Sequence, residues 1–103
     1  MGKRARARIR WLPPDAGGRE RPPTGSEGAR YTTLSHFEDD VIYWPESQWS
    51  LVVQFEEPSS RTLETIATVW FLSSDAPHDF LRAGSHFELL EGKRIVARGE
   101  ILD

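Results

Sequence analysis

The sequence contains no cysteine and a single methionine among its 103 residues. The lack of cysteine excludes disulfide bonds, thiolate metal ligands and a thiol nucleophile, so a metal site would have to use histidine and carboxylate ligands. Long apolar runs are missing as well. No such run follows the basic residues 3–10, so we expect neither a secretory signal nor a membrane span. These absences lead us to expect a cytoplasmic protein.

Motifs for catalysis and nucleotide binding are also missing. The sequence has no phosphate-binding loop of the form G-x-x-x-x-G-K-[ST], and no serine stands in G-x-S-x-G. Acidic residues lie close to His36 and His78, but neither histidine has a second ligand at a spacing that puts both on one face. We therefore expect no enzyme, no metal, no cofactor and no nucleotide, and we expect His36, His78 and His86 to lie apart.

Charge is distributed unevenly along the chain. The net charge is -3, but residues 1–30 carry a local +5 and residues 31–103 a local -8. One interpretation is a basic face that binds phosphates or an acidic partner. The other is a basic strand that lies beside the acidic remainder of its own sheet. The sequence leaves both open.

Alternation of apolar and polar residues predicts strands throughout the chain. Residues 4–12, R-A-R-A-R-I-R-W-L, place one face inward, with four arginines on the other. Weaker patterns predict strands over 31–37 and 49–55, and the β-branched, aromatic run 65–72 predicts a strand buried on part of both faces. Residues 79–82 are typical of a single helical turn, which Gly84 would end.

The most regular pattern is the hairpin of residues 86–102. A three-residue turn, Glu91-Gly92-Lys93, with Gly92 left-handed, would set Phe87 and Leu89 opposite Ala97 and Ile95. Six strands without a long helix predict a small antiparallel barrel. Four aromatic residues fall within strand patterns and are assigned to its core: Trp11, Phe55, Trp70 and Phe87.

Two segments outside these strands are candidate binding surfaces. Residues 13–28 contain four prolines and four glycines and no apolar period, which predicts a long loop of the kind that often carries function. Trp44 follows the acidic stretch 38–40, and we predict that it is exposed and contacts a partner.

Three segments resemble the third, C-terminal β-barrel domain of elongation factor Tu and related translation factor GTPases. Gly17-Gly18-Arg19 follows the first strand, and Gly28-Ala29-Arg30-Tyr31 opens the second. The third segment, residues 87–101, is similar to the closing hairpin of the family, F-x-[IL]-x-E-G-x-[RK]-x-V-x-x-G-x-[VI]. The resemblance extends over residues 4–102, so it implies this barrel alone, without a GTPase domain.

The resemblance implies a single six-stranded Greek-key barrel over residues 1–103 and a binding function. In the family the glycine-glycine-arginine loop and the hairpin tip contact the backbone of tRNA, which by position indicates Arg19, Glu91 and Gly92, and more weakly Arg30. We expect a non-enzymatic module that docks a protein partner, since the chain is acidic overall and the family's third barrel also docks proteins. The alternative is weak tRNA binding through Arg4, Arg6, Arg8, Arg10 and Arg19.

Overall fold

The computed structural model describes residues 3–13, 30–38, 49–56 and 64–103. Within these ranges the chain forms six strands and one short 3-10 helix: β1 Ala5–Trp11, β2 Arg30–Phe37, β3 Trp49–Phe55, β4 Glu64–Phe71, the 3-10 helix His78–Phe80, β5 His86–Glu91 and β6 Arg94–Ile101. Strands β2 and β4 begin one residue earlier than predicted, and β4 also ends one residue earlier. Arg19, Trp44 and nearly all of the predicted loop lie outside the described residues.

The six strands close into an antiparallel barrel in the order β1-β4-β3-β2-β5-β6, with β6 paired to β1. Strands β2, β3 and β4 are consecutive neighbours, and β1 lies beside β4, which is the connectivity of a Greek key. The predicted fold class is therefore confirmed. Closure pairs both edges of the sheet, so the described strands leave no open edge.

Alternate residues of each strand fill the interior. In β1 the four apolar residues of the alternating run are buried and the three arginines between them are exposed. Trp11 packs against Tyr31 and Phe55 at one end of the barrel. At the other end Phe37 contacts Phe71, Phe80 and Phe87, with ring centroids 4.9 to 5.9 Å apart. The small Ala5 and Ala7 lie on the inner face of β1.

The C-terminal hairpin forms, but its register differs from the prediction. Its turn has two residues, Gly92 and Lys93, and Gly92 is left-handed with a φ of 65°. A bulge shifts the pairing, so that Leu90 faces Ile95, Leu89 faces Ala97 and Phe87 faces Gly99. The extra residue of the bulge turns Val96 into the core and leaves Ile95 half-buried.

Gly99 has a packing role in this hairpin. A Cβ atom at Gly99 would overlap the Phe87 ring, which occupies the space above it. The pair thus resembles the arrangement in which an aromatic side chain covers a glycine on the neighbouring strand.

Strand β4 contradicts one core assignment. Its buried residues are Ala67, Val69 and Phe71, so Trp70 points to the outer face, where it is half-buried. The predicted helical turn is the 3-10 helix His78–Phe80, one to two residues earlier than expected. No described residues form a helix that is both long and apolar enough to cross a membrane.

Candidate functional site

The outer face of β1 carries three of the four arginines that the sequence singled out, Arg6, Arg8 and Arg10, and Arg4 comes directly before the strand. Because β1 lies between β4 and β6, its outward side chains meet those of two neighbouring strands. Arg6 donates through Nε to Glu56 at 3.1 Å, and the same carboxylate accepts a bond from the Thr68 hydroxyl. This arginine is therefore matched by an acid of its own barrel.

Arg8 forms ion pairs with both neighbouring strands. Its guanidinium lies 3.5 Å from Glu64 of β4 and 3.9 Å from Glu100 of β6. The side chains are about half exposed, so each pair contributes little to stability, about 0 to 1 kcal/mol. Their effect on recognition is larger, because a phosphate at Arg8 would have to compete with two carboxylates that are already present.

The ion pairs continue across β6 and β5. Arg98 lies 3.5 Å from Glu88, and Glu88 in turn lies 3.6 Å from Nδ1 of His36. We call this surface the ion-pair face; its members are Arg8, His36, Glu64, Glu88, Arg98 and Glu100. Arg10 pairs in register with Arg98 and with Glu64, but within the described residues it forms no ion pair.

The three histidines do not converge in one place, since His78 lines a separate groove, but two of them do come together on this face. His36 of β2 and His86 of β5 line one depression of about 400 Å³, together with Glu38 and Glu88. Pairing of β2 with β5 brings them together, and His86 lies 3.5 Å from Glu38. In the described ranges, no three histidine or acidic side chains are grouped so that they could hold a metal ion.

A different arrangement surrounds Trp70. Arg4 Cζ lies 4.1 Å from the centroid of the Trp70 ring, and Arg30 Cζ lies 5.2 Å from it. Guanidinium groups at these distances are attracted by the negative face of an indole ring. Val52, the partner of Trp70 in the register of β3 and β4, is buried although it points outward, so side chains cover this part of the outer face.

Trp70 also lines an open groove. The groove has a volume of about 980 Å³ and is lined by Lys3 and Arg4 just before β1 and by Leu72 just after β4. Leu72 is 64% exposed and is the one large apolar residue with such exposure among those described. We call Lys3, Arg4, Arg30, Trp70 and Leu72 the Trp70 patch.

The cations of the Trp70 patch differ from those of the ion-pair face. Within the described residues, no carboxylate forms an ion pair with Lys3, Arg4 or Arg30, although Asp79 also lines the groove. Among the described residues, the patch therefore combines three cations with one nearby carboxylate, Asp79 of the groove lining, on a chain whose net charge is -3.

The far wall of the groove is a short, tightly turned segment. His78 lies 3.1 Å from the Ser74 carbonyl through Nε2, and its ring packs edge-on against Phe71 at 5.8 Å. The backbone N–H groups of Ala76, Phe80 and Leu81 donate to nearby carbonyls. These bonds stabilise the turned conformation of the groove wall.

The hairpin tip has internal contacts. Glu91 accepts a hydrogen bond from the Tyr31 hydroxyl and lies 3.8 Å from Arg94. Gly92 is exposed at the turn. A contact role for Glu91 and Gly92 stays a prediction, as it does for Arg19 and Trp44, which lie outside the described residues.

Lys3, Trp70 and Leu72 belong to the Trp70 patch but were not among the binding residues predicted from the sequence, which assigned Trp70 to the core. The run Val69-Trp70-Phe71-Leu72 contains a signal that could have found them. In a strand, successive side chains point to opposite faces, so Trp70 and Phe71 could not both enter the core.

The sequence matches no protein-family model, and it matches no curated protein.

Proposed function

We propose that this chain is a non-enzymatic binding module that docks a protein partner through the Trp70 patch. The observation that carries the proposal is the combination of Trp70, two guanidinium groups over its ring and the exposed Leu72 beside it. Tryptophan and arginine are the residues most enriched among those that dominate binding energy at protein interfaces.

Rigidity of the patch supports the same proposal. Trp70 lies on β4, which is paired on both sides in the closed barrel, with Val52 beside it and hydrogen-bonded turns across the groove. A side chain that is already ordered loses less conformational entropy when a partner binds. The patch is therefore suited to act as an anchor.

The proposal includes a relationship to the third β-barrel domain of elongation factor Tu and related translation factor GTPases. It is supported by the hairpin sequence of residues 87–101 and by a closed six-stranded antiparallel barrel, the architecture that the resemblance implied. A place in or near translation is part of this proposal.

Binding to tRNA is the competing function, and the ion pairs of the β1 arginines count against it. Arg6 and Arg8 each pair with glutamates of the barrel, so the first strand offers few free cations for a phosphate backbone. Affinity for nucleic acid depends on the number of phosphates that are neutralised and falls steeply with salt.

One experiment separates the two functions. Labelled tRNA is titrated against the protein at low and at physiological salt, and in parallel the tagged protein is used to capture proteins from its native cell. We expect no tRNA binding at physiological salt and a captured protein that is lost on Trp70→Ala. Tight tRNA binding that is weakened by Arg8→Ala would support RNA recognition and overturn protein docking.

A further inference from the structure

We infer that the partner segment bound by the Trp70 patch is an acidic stretch of polypeptide with an apolar side chain beside its carboxylates. The inference rests on the proposed function and adds the chemistry of the partner. It follows from two features of the patch, namely cations that form no ion pair with a described carboxylate and one exposed apolar side chain next to them.

The cations of the Trp70 patch indicate that the partner segment carries carboxylates. Lys3, Arg4 and Arg30 form no ion pair with any described carboxylate, and the tryptophan ring lies next to both arginines. A guanidinium over an aromatic ring keeps the N–H donors along its edge available, and those donors match a carboxylate in a two-bond fork. Complementary charge then steers the approach of the partner and fixes its register.

Leu72 indicates that the partner segment also carries an apolar side chain. It follows Trp70 by two residues, so both side chains emerge on the same outer side of β4, and its amide donates to Ser50 O at 2.9 Å, which extends the pairing of β3 and β4. Burial of an apolar side chain against Leu72 and Trp70 would remove exposed apolar surface from water. The groove beside them is large enough for such a side chain.

Single-stranded nucleic acid is a poorer match to the same surface. Base stacking requires a free aromatic face, and Arg4 already lies 4.1 Å from the Trp70 ring centroid. Asp79 on the groove wall repels a phosphate and a carboxylate alike, so it favours neither ligand. A peptide satisfies both the cations and Leu72, and a phosphate backbone satisfies only the cations.

The test is panning of a displayed library of random peptides against the full chain at low salt. We expect enriched peptides to contain an excess of Asp and Glu around an apolar residue. The double variant Arg4→Glu, Arg30→Glu should weaken an enriched peptide more than about tenfold, because like charges are then juxtaposed. The matched control Arg94→Glu, Arg98→Glu changes net charge equally and should retain binding; thermal melting confirms that both variants fold.

Several outcomes overturn the inference. The panning contradicts it if no peptide is enriched, or if the enriched peptides lack acidic residues. An equal loss of peptide affinity in the control variant contradicts it as well, and so does binding of a single-stranded RNA oligomer that depends on Arg4 and Arg30. The proposed function fails separately, when capture of a cellular protein does not depend on Trp70. Capture that needs Trp70 but tolerates reversal of both arginines leaves the docking proposal standing and removes the acidic partner.

Discussion

Two parts of the outer barrel surface use the same residue types differently. On the ion-pair face, Arg8 lies between Glu64 and Glu100, and Arg98 lies beside Glu88. At the Trp70 patch, Arg4 lies only four residues before Arg8 on the same side of β1 but contacts an indole ring instead of a carboxylate. A run of arginines therefore does not define a binding face; the side chains of the neighbouring strands decide which arginines are available.

The largest expected effect is on partner binding at the Trp70 patch. Trp70→Ala should reduce affinity for the captured protein by about 2 kcal/mol or more, the range of a dominant interface residue. Arg98→Ala on the ion-pair face is the control and should change affinity by less than about 0.5 kcal/mol, as for surface changes away from a site. Calorimetric titration measures both, and equal losses would remove the distinction between the two surfaces.

The next largest effect is on the stability of the barrel and involves two residues that lie beneath the ion-pair face. Gly99→Ala should destabilise the barrel by about 1 to 3 kcal/mol, because the added Cβ overlaps the Phe87 ring and the core must shift. Urea unfolding measures the loss. The double variant with Phe87→Leu should recover part of it, and a loss that is unchanged in the double variant would mean that the ring is not the cause. Partner affinity of the folded protein should stay the same.

A smaller effect is expected at the hairpin tip. Tyr31→Phe removes the hydrogen bond to Glu91 and should cost about 1 kcal/mol, since the acceptor is charged but partly solvated. In a Glu91→Gln background the same change should cost less. If Glu91→Gln instead abolishes partner or tRNA binding without lowering stability, Glu91 is a contact residue, as the family resemblance predicted.

The smallest effect concerns the ion pairs themselves. A double-mutant cycle on Arg6 and Glu56 should give a coupling free energy of about 0.2 to 1 kcal/mol, because both side chains are solvent-accessible. Added salt should reduce the coupling. A coupling several times larger, or one that salt does not change, would show that these pairs stabilise the fold rather than only occupying the arginines.

Strands were predictable where apolar and polar residues alternate strictly. The alternation of period two was enough to predict β1, and the bounds of β3, Trp49–Phe55, were predicted without error. Trp70 was misassigned because β4 has apolar residues on both faces, which makes the period ambiguous. The hairpin register was missed because a bulge at Val96 adds a residue that alternation does not reveal.

The site was harder to predict than the strands. Arg4 comes directly before β1, Arg30 opens β2 and Trp70 lies in β4, and His36 meets His86 only because β2 pairs with β5. Such neighbours depend on the order of strands around the barrel, which local patterns do not specify. The ion pairs of Arg6 and Arg8 with glutamates depend on the same order of strands.

Site-specific photo-crosslinking in the native cell tests the central claim most directly. A photoreactive amino acid is placed at position 72 of the Trp70 patch or, as the control, at position 98 of the ion-pair face, both exposed. We predict a crosslinked protein partner from position 72 and none from position 98. Crosslinks to protein from position 98 alone, or to RNA from either position, would contradict docking through the Trp70 patch.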